Sequence, residues 1–304
     1  MKCIAALSFV GLFLVSLFVA SSATACTVFS ISFGQKVFFA GNEDQRPQNS
    51  ASWLFVDKRG SLGVVFFATP WEKWPIVMEA GINEKGLCYD QNWIPAEKLK
   101  NHPEKILAKD HPSWELMREC ATVEDVLAKF RRYNWGGHWG GIIDFQIHFA
   151  DKTGDAVVLF PDKNGEMTYV RKPKNNSYLV SSNFNVRLMP EGDFSKSLSW
   201  VGWDRYNTAD KMLARIKSEK DLSVQTAAAV LDAAHQPEGS RSSTIYSELY
   251  DPQNLRIYLF YNHQFDTAYV LDVADELAKT KGKLRRVPLK DLILDADVKK
   301  EKMK

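Results

Sequence analysis

Short apolar-rich runs separated by turn residues dominate the chain from residue 27 onward, and their length and composition predict strands. They lie at Thr27–Phe33, Lys36–Ala40, Trp53–Asp57, Leu62–Ala68 and Ile76–Ile82. A second series covers Ile142–Ala150, Ala156–Phe160, Met167–Arg171, Tyr178–Ser182, Thr244–Tyr250, Arg256–Tyr261 and Thr267–Leu271. Hairpin signals such as Phe33-Gly34-Gln35, Asp162-Lys163-Asn164-Gly165 and Asp251-Pro252-Gln253-Asn254 separate several of them. Helical spacing predicts helices at Ser113–Cys120, Val126–Phe130, Trp203–Ile216 and Leu222–Ala234, the second opened by a capping-box pattern at Thr122–Asp125. Strands, helices, strands, helices, strands is not the one-to-one alternation of a doubly wound parallel sheet. It predicts antiparallel sheets with helices packed on their faces. No linker interrupts the chain, so residues 26–304 are expected to form one domain ending in a solvated tail, Lys299–Lys304.

The first 25 residues follow a different pattern. Lys2 precedes an almost unbroken apolar run, Ile4–Ala20, and then the small residues Ser21-Ser22-Ala23-Thr24-Ala25. A basic start, an apolar stretch and an A-x-A exit have the form of a secretory signal cut before Cys26. Export to the periplasm or the cell exterior is the expectation, with signal peptidase as the maturation partner and no stable membrane association after cleavage. A signal anchor is the rival, since the run approaches the roughly 20 residues that span a bilayer. The uncharged Ser/Ala/Thr exit favours cleavage.

Composition removes whole classes of function. The chain has 304 residues, 45% hydrophobic, and 39 Lys+Arg against 37 Asp+Glu give a net charge of +2. That excludes a disordered tail protein and a polycation built for nucleic acid. Cys3 leaves with the leader, so Cys26, Cys88 and Cys120 remain. Three cysteines are not a disulfide framework. A Cys88–Cys120 bridge and two buried free thiols are both open on sequence.

Cleavage before Cys26 makes a cysteine the first residue of the mature chain. Its free α-amine, with an unperturbed pKa of about 7.7–8.0, is a base carried by the same residue as the thiol. It can take the thiol proton and return it to a leaving amine, which suits acyl transfer from an amide through a thioester. The bland alternative is a lipoprotein signal, in which the thiol carries a lipid and the amine is acylated. Ala23 stands three before the cysteine, where lipoprotein signals typically carry Leu.

Five blocks in order resemble the choloylglycine hydrolase and penicillin V acylase family, N-terminal-nucleophile cysteine hydrolases that act on linear amide C–N bonds. They are Cys26-Thr27-Val28-Phe29 with Gly41-Asn42-Glu43-Asp44, Gly81–Leu87 with Asn92, Ser181-Ser182-Asn183-Phe184, Asp204–Ala209, and Ser243–Ser247 through Leu255–Tyr261. The resemblance implies an α+β fold, a four-layer αββα sandwich of two stacked antiparallel sheets between helical layers. It implies Cys26 as nucleophile, Asp44 against the Cys26 amine and thiol, Arg205 turned toward the nucleophile, and Asn183 and Asn92 as stabilisers of the oxyanion. Read alone, Asp44 is a turn residue bonding its own backbone, Arg205 a solvated helix residue, and each Asn a local backbone partner. The bile-salt hydrolases carry an Arg where Gly41 stands here, which weakens any transfer of bile-salt specificity. Arg46 lies five residues later, and its part in replacing that charge is open on sequence.

The tryptophans at Trp71 and Trp74 and at Trp135 and Trp139 fall in stretches read as loops, where aromatics can line an acyl pocket, although packing is the ordinary role. His138 and His148 lack ligand spacing, and there is no G-x-S-x-G elbow or phosphate loop. No metal or cofactor is expected. The expected function is an exported amidohydrolase taking a small N-acyl amide, compatible with a homo-oligomer. Its alternatives are a lipid-anchored envelope protein without activity and an acyltransferase.

Overall fold

The computed structural model describes residues 26–45, 52–71, 74–187, 201–239 and 242–303. The leader Met1–Ala25, Arg46 and Trp200 lie outside the described residues, as do the side chains of Trp71, Trp74 and Trp139. The strands, in chain order, are β1 Thr27–Phe33, β2 Lys36–Gln45, β3 Trp53–Asp57, β4 Val64–Trp71, β5 Trp74–Asn83 and β6 Cys88–Lys98. After helices α1 Pro112–Glu119 and α2 Val123–Lys129 come β7 Ile142–Ala150, β8 Ala156–Pro161, β9 Met167–Arg171 and β10 Tyr178–Ser181. Helices α3 Trp203–Leu213 and α4 Val224–Ala234 precede β11 Ser243–Asp251, β12 Arg256–Tyr261 and β13 Thr267–Asp272. The chain closes with α5 Val273–Ala278, β14 Arg285–Pro288, α6 Leu289–Leu292 and β15 Lys299–Lys302.

Two antiparallel sheets result, one ordered β10-β1-β2-β11-β12-β13-β15 and the other β14-β3-β4-β5-β6-β7-β8-β9. Three apolar layers hold them. Val28, Phe39, Val65, Phe67, Tyr250 and Leu259 fill the space between the sheets. Phe29, Ala40, Leu213, Leu231 and Phe260 pack α3 and α4 on the outside of the first sheet. Phe66, Tyr89, Leu116, Val126 and Phe149 pack α1 and α2 on the outside of the second. The four-layer sandwich expected from the sequence is therefore present.

Because side chains alternate along a strand, β1 sends Val28 inward and Phe29 toward the helices, and β2 sends Phe39 inward and Phe38 and Ala40 outward. Each buried phenylalanine contributes about 1.5–3 kcal/mol. A one-residue slip would exchange these faces, so the apolar residues fix the register, and with it the faces of Cys26, Glu43 and Asp44.

The ends of the helices follow their sequence. Thr122 caps α2, its side chain accepting from Asp125 N while the Asp125 carboxylate accepts from the Thr122 N–H, and Ser223 and Thr226 make the equivalent box on α4. Several expectations need correction. The tail Lys299–Lys302 is strand β15, paired with Thr267–Val270. Its lysines stay exposed while the backbone pairs, and charged side chains on such an edge oppose further strand addition. Strand β6 lies where the sequence showed no strand. Trp71 and Trp74, read as loop residues, instead end β4 and begin β5 and pair with each other. Trp135 is a core residue whose Nε1 donates to Phe130 O at 2.9 Å. Cys88 sits in the inter-sheet core and Cys120 in the core on the far side of the second sheet, so both are free buried thiols and no bridge joins them.

Candidate active site

The site forms at the open end of the β1–β2 hairpin, and its two halves lie on opposite faces of the sheet. Cys26 precedes β1 and is buried, with Ser182 Oγ donating to its carbonyl at 3.1 Å. Its Sγ donates toward Glu43 Oε2 at 3.3 Å, within the inter-sheet space. Thr27, one residue on, faces the helices, and its Oγ1 accepts from Arg205 Nη1 at 2.9 Å.

Asp44 shares the helix-facing side with Thr27. It receives Arg205 Nη1 at 3.2 Å, Gln236 Nε2 at 2.9 Å and the Thr244 hydroxyl on Oδ2 and Oδ1. Burial pushes its carboxyl up to about 6, an effect limited by the Arg205 charge and by the bonds from Thr244 and Gln236. The expectation that Asp44 lies against the thiol is corrected: Glu43 holds that position, and Asp44 lies behind the sheet. The β11 bulge between Thr244 and Tyr246 turns the Thr244 hydroxyl to this side.

Arg205 stands on the first turn of α3. Its Nη2 donates to Asn183 Oδ1 at 2.8 Å, and Asn183 Nδ2 donates to Trp93 O at 2.9 Å. Gly202, with φ 86°, begins the helix in the left-handed region. A Cβ there would stand 2.3 Å from Ser182 Oγ and 2.7 Å from Arg205 Nη2, so glycine is what allows the helix to approach Asn183.

Asn92 belongs to β6, next to the Trp93 carbonyl that Asn183 reaches. It pairs in register with Gln146, whose Nε2 holds the Ser182 and Phe184 carbonyls at 2.7 and 2.9 Å. Asn92 is fully buried, and neither of its amide atoms has a partner among the described residues. The structure thus joins Cys26, Asp44, Asn183 and Arg205 through direct bonds or shared neighbours. Asn92 is linked to them only through β6 and Gln146.

The reading of the sequence missed the carboxyls on the inner face. Glu43, Asp90 and Glu248 bring ligand oxygens within 4.8 Å of one another, and all three are fully buried. Glu79 lies alongside, accepting from Gln45 Nε2 at 2.6 Å, from Tyr246 Oη at 3.2 Å and from Thr69 Oγ1. Burial, then the charges of Asp90 and Glu79, pushes Glu43 up; Glu79 rises to about 7, chiefly by burial. The Cys26 thiol is pushed up by burial and then by Glu43. Gly41 explains how two sheets bring these groups so close: a Cβ there would lie 1.9 Å from Asp90 Oδ2 and 2.9 Å from Glu248 Oε1. The position expected to have lost a family Arg is therefore filled by two carboxyls. As a cation site the group is thin, since each of the three carboxyls brings one oxygen into that cluster, and three oxygens fall short of the roughly six to eight that calcium takes. His148 is no ligand either, being held between Ser30 Oγ at 3.3 Å and Ser181 Oγ at 3.1 Å.

No family model and no curated protein sequence matches the chain. Solved structures do. Penicillin V acylase from Agrobacterium tumefaciens superposes with a TM-score of 0.62 at 15% identity, over 87% of this chain and 92% of its own. Two variants of conjugated bile acid hydrolase from Clostridium perfringens give TM-scores of 0.58 at 14% and 13% identity, over 91% of this chain and 97% and 96% of theirs. At such identities the likeness establishes the fold alone, the α+β sandwich that these structures share with the chain.

Proposed function

We propose that the chain is an exported amidohydrolase in which Cys26, freed by removal of the leader, attacks the carbonyl carbon of an N-acyl amide. The observation that carries this reading is the position of Cys26. It follows the leader-like segment directly, enters an inner strand of the sandwich, and has its thiol buried against Glu43 with Arg205 and Asn183 gathered behind. The fold shared with a penicillin V acylase and a conjugated bile acid hydrolase supports the same chemistry.

In this reading the thiolate forms a tetrahedral adduct, the C–N bond breaks, the amine leaves with a proton, and water hydrolyses the thioester. The liberated α-amine, or a carboxyl beside the thiol, moves the proton. Asn92, with a buried amide that has no partner among the described residues, supplies an N–H to the oxyanion, a contribution of roughly 3 kcal/mol where such donors have been removed. Arg205 fixes Asn183 and offsets the Asp44 charge. The substrate is an N-acyl amide of the penicillin V, conjugated bile salt or acyl-homoserine lactone type. The test is amine release from a panel of these by the matured chain and its Cys26→Ser and Cys26→Ala variants. Release by the wild type alone supports the reading, and release that survives Cys26→Ala removes it.

A further inference from the structure

Four carboxyls lie on the inner face behind the thiol, contributed by four strands of both sheets: Glu43 on β2, Glu79 on β5, Asp90 on β6 and Glu248 on β11. Among the described residues no Lys, Arg or His pairs with any of them. Glu43 Oε1, both oxygens of Asp90 and both of Glu248 are buried without a donor. An interior that leaves five carboxylate oxygens facing one another must hold protons among them, because several unpaired charges cannot be kept there together. Of these four carboxyls, Glu43 is the one bonded by the reacting sulfur, at 3.3 Å.

We propose that Glu43 is a catalytic acid–base group for Cys26, and that Asp90, Glu79 and Glu248 are positioning residues that keep a proton-accepting carboxyl beside the thiol. The proposal rests on the amidohydrolase reading for its reaction. Glu43 carboxylate takes the Cys26 S–H proton as sulfur bonds to the amide carbon. The resulting carboxylic acid gives that proton to the departing nitrogen as the C–N bond breaks. In deacylation it takes a proton from the attacking water and returns it to sulfur as the C–S bond breaks, so the group ends as it began. Burial among other carboxyls suits it to this work, since a carboxylate of ordinary acidity is too weak a base for a thiol. The titratable groups facing Glu43 are Cys26, Glu79, Tyr246, Asp90, Glu248 and Tyr250, with Asp44 on the opposite side of its strand and Tyr89 on the outer face of the second sheet.

The test is the rate of Cys26 alkylation by iodoacetamide against pH, which needs no substrate, in the matured wild type and in Glu43→Gln, Glu43→Asp and Asp90→Asn. Circular dichroism and thermal melts check the fold of each. The expected result is alkylation at neutral pH at least roughly tenfold slower in Glu43→Gln, with loss of one acid-side limb. Glu43→Asp restores part of the rate. Asp90→Asn keeps the limb but moves it to lower pH, because a charge that raises Glu43 is gone; this arm decides if Glu43→Gln does not fold. Faster alkylation of Glu43→Gln across the neutral range would overturn the proposal, as removing a spectator charge eases thiol ionisation. An unmoved limb in Asp90→Asn, or a stoichiometric metal found by elemental analysis of the wild type, would also overturn it. If the alkylation pattern holds while no amide is cleaved, the function reading alone fails.

Discussion

The Arg205 guanidinium sits 3.2 Å from the Asp44 carboxylate, and both side chains are buried. The same guanidinium holds Asn183 at 2.8 Å and Thr27 at 2.9 Å, so one side chain of α3 ties together β1, β2 and the segment after β10. Arg205→Ala leaves a buried carboxylate without its cation and is expected to cost about 3–5 kcal/mol. Arg205→Lys keeps the charge but loses the fork that reaches Asp44 and Asn183 together, so it should recover only part of the stability and little activity. Urea denaturation and amide turnover on the two variants check both statements.

Asp44 gives a pH dependence with a definite sign. Its folded value of about 6 lies above the ordinary 3.8, so the fold binds this proton more tightly than the unfolded chain does. The group therefore adds stability in acid, fully present below the unfolded value, and the contribution is lost as pH rises through about 6. Activity runs the other way. If the charged form is the one that pairs with Arg205 in the working site, turnover falls as pH drops through about 6. A pH–rate profile of the wild type should show that limb, and Asp44→Asn should lack it.

Gly41 should tolerate no side chain while the carboxyls stand where they do. Gly41→Ala is expected to destabilise by about 1–3 kcal/mol through overpacking. The same change in an Asp90→Ala background should cost much less, because the clash at 1.9 Å is with Asp90 Oδ2. A double-mutant cycle by chemical denaturation measures the coupling, and additive costs would mean that the two positions do not interact.

Asn92 and Asn183 should separate on mutation. The Asn92 side chain has no hydrogen-bond partner among the described residues, so Asn92→Ala should leave the melting temperature near wild type while lowering kcat by roughly 10²–10³. Asn183→Ala removes the acceptor of Arg205 Nη2 and the donor to Trp93 O, and should lower stability as well as turnover. Equal losses of stability in both variants would contradict this division.

Much of the frame was legible in the pattern of the chain. Strands β1, β3, β7, β9 and β12 begin and end where the apolar runs do. Strand β6 was hidden because Asp90, Gln91 and Asn92 interrupt any apolar run, and two of them are polar because they serve the interior of the site. Glu43 stood in plain view between Asn42 and Asp44, and the two-residue period of a strand already separates it from Asp44. What no local pattern could supply was that Asp90, Glu79 and Glu248, far apart in sequence, converge on it. Antiparallel pairing and the stacking of two sheets create that group, and only Gly41 leaves a trace of it, as a missing side chain.

The most direct test of the account is the intact mass of the protein made with its own leader, incubated with the N-acyl amide panel and quenched in acid. The account predicts a chain that begins at Cys26 and carries an acyl increment on that residue, sensitive to hydroxylamine and absent from Cys26→Ala. A chain that keeps residues before Cys26, or bears a lipid on it, and gains no acyl group would contradict it.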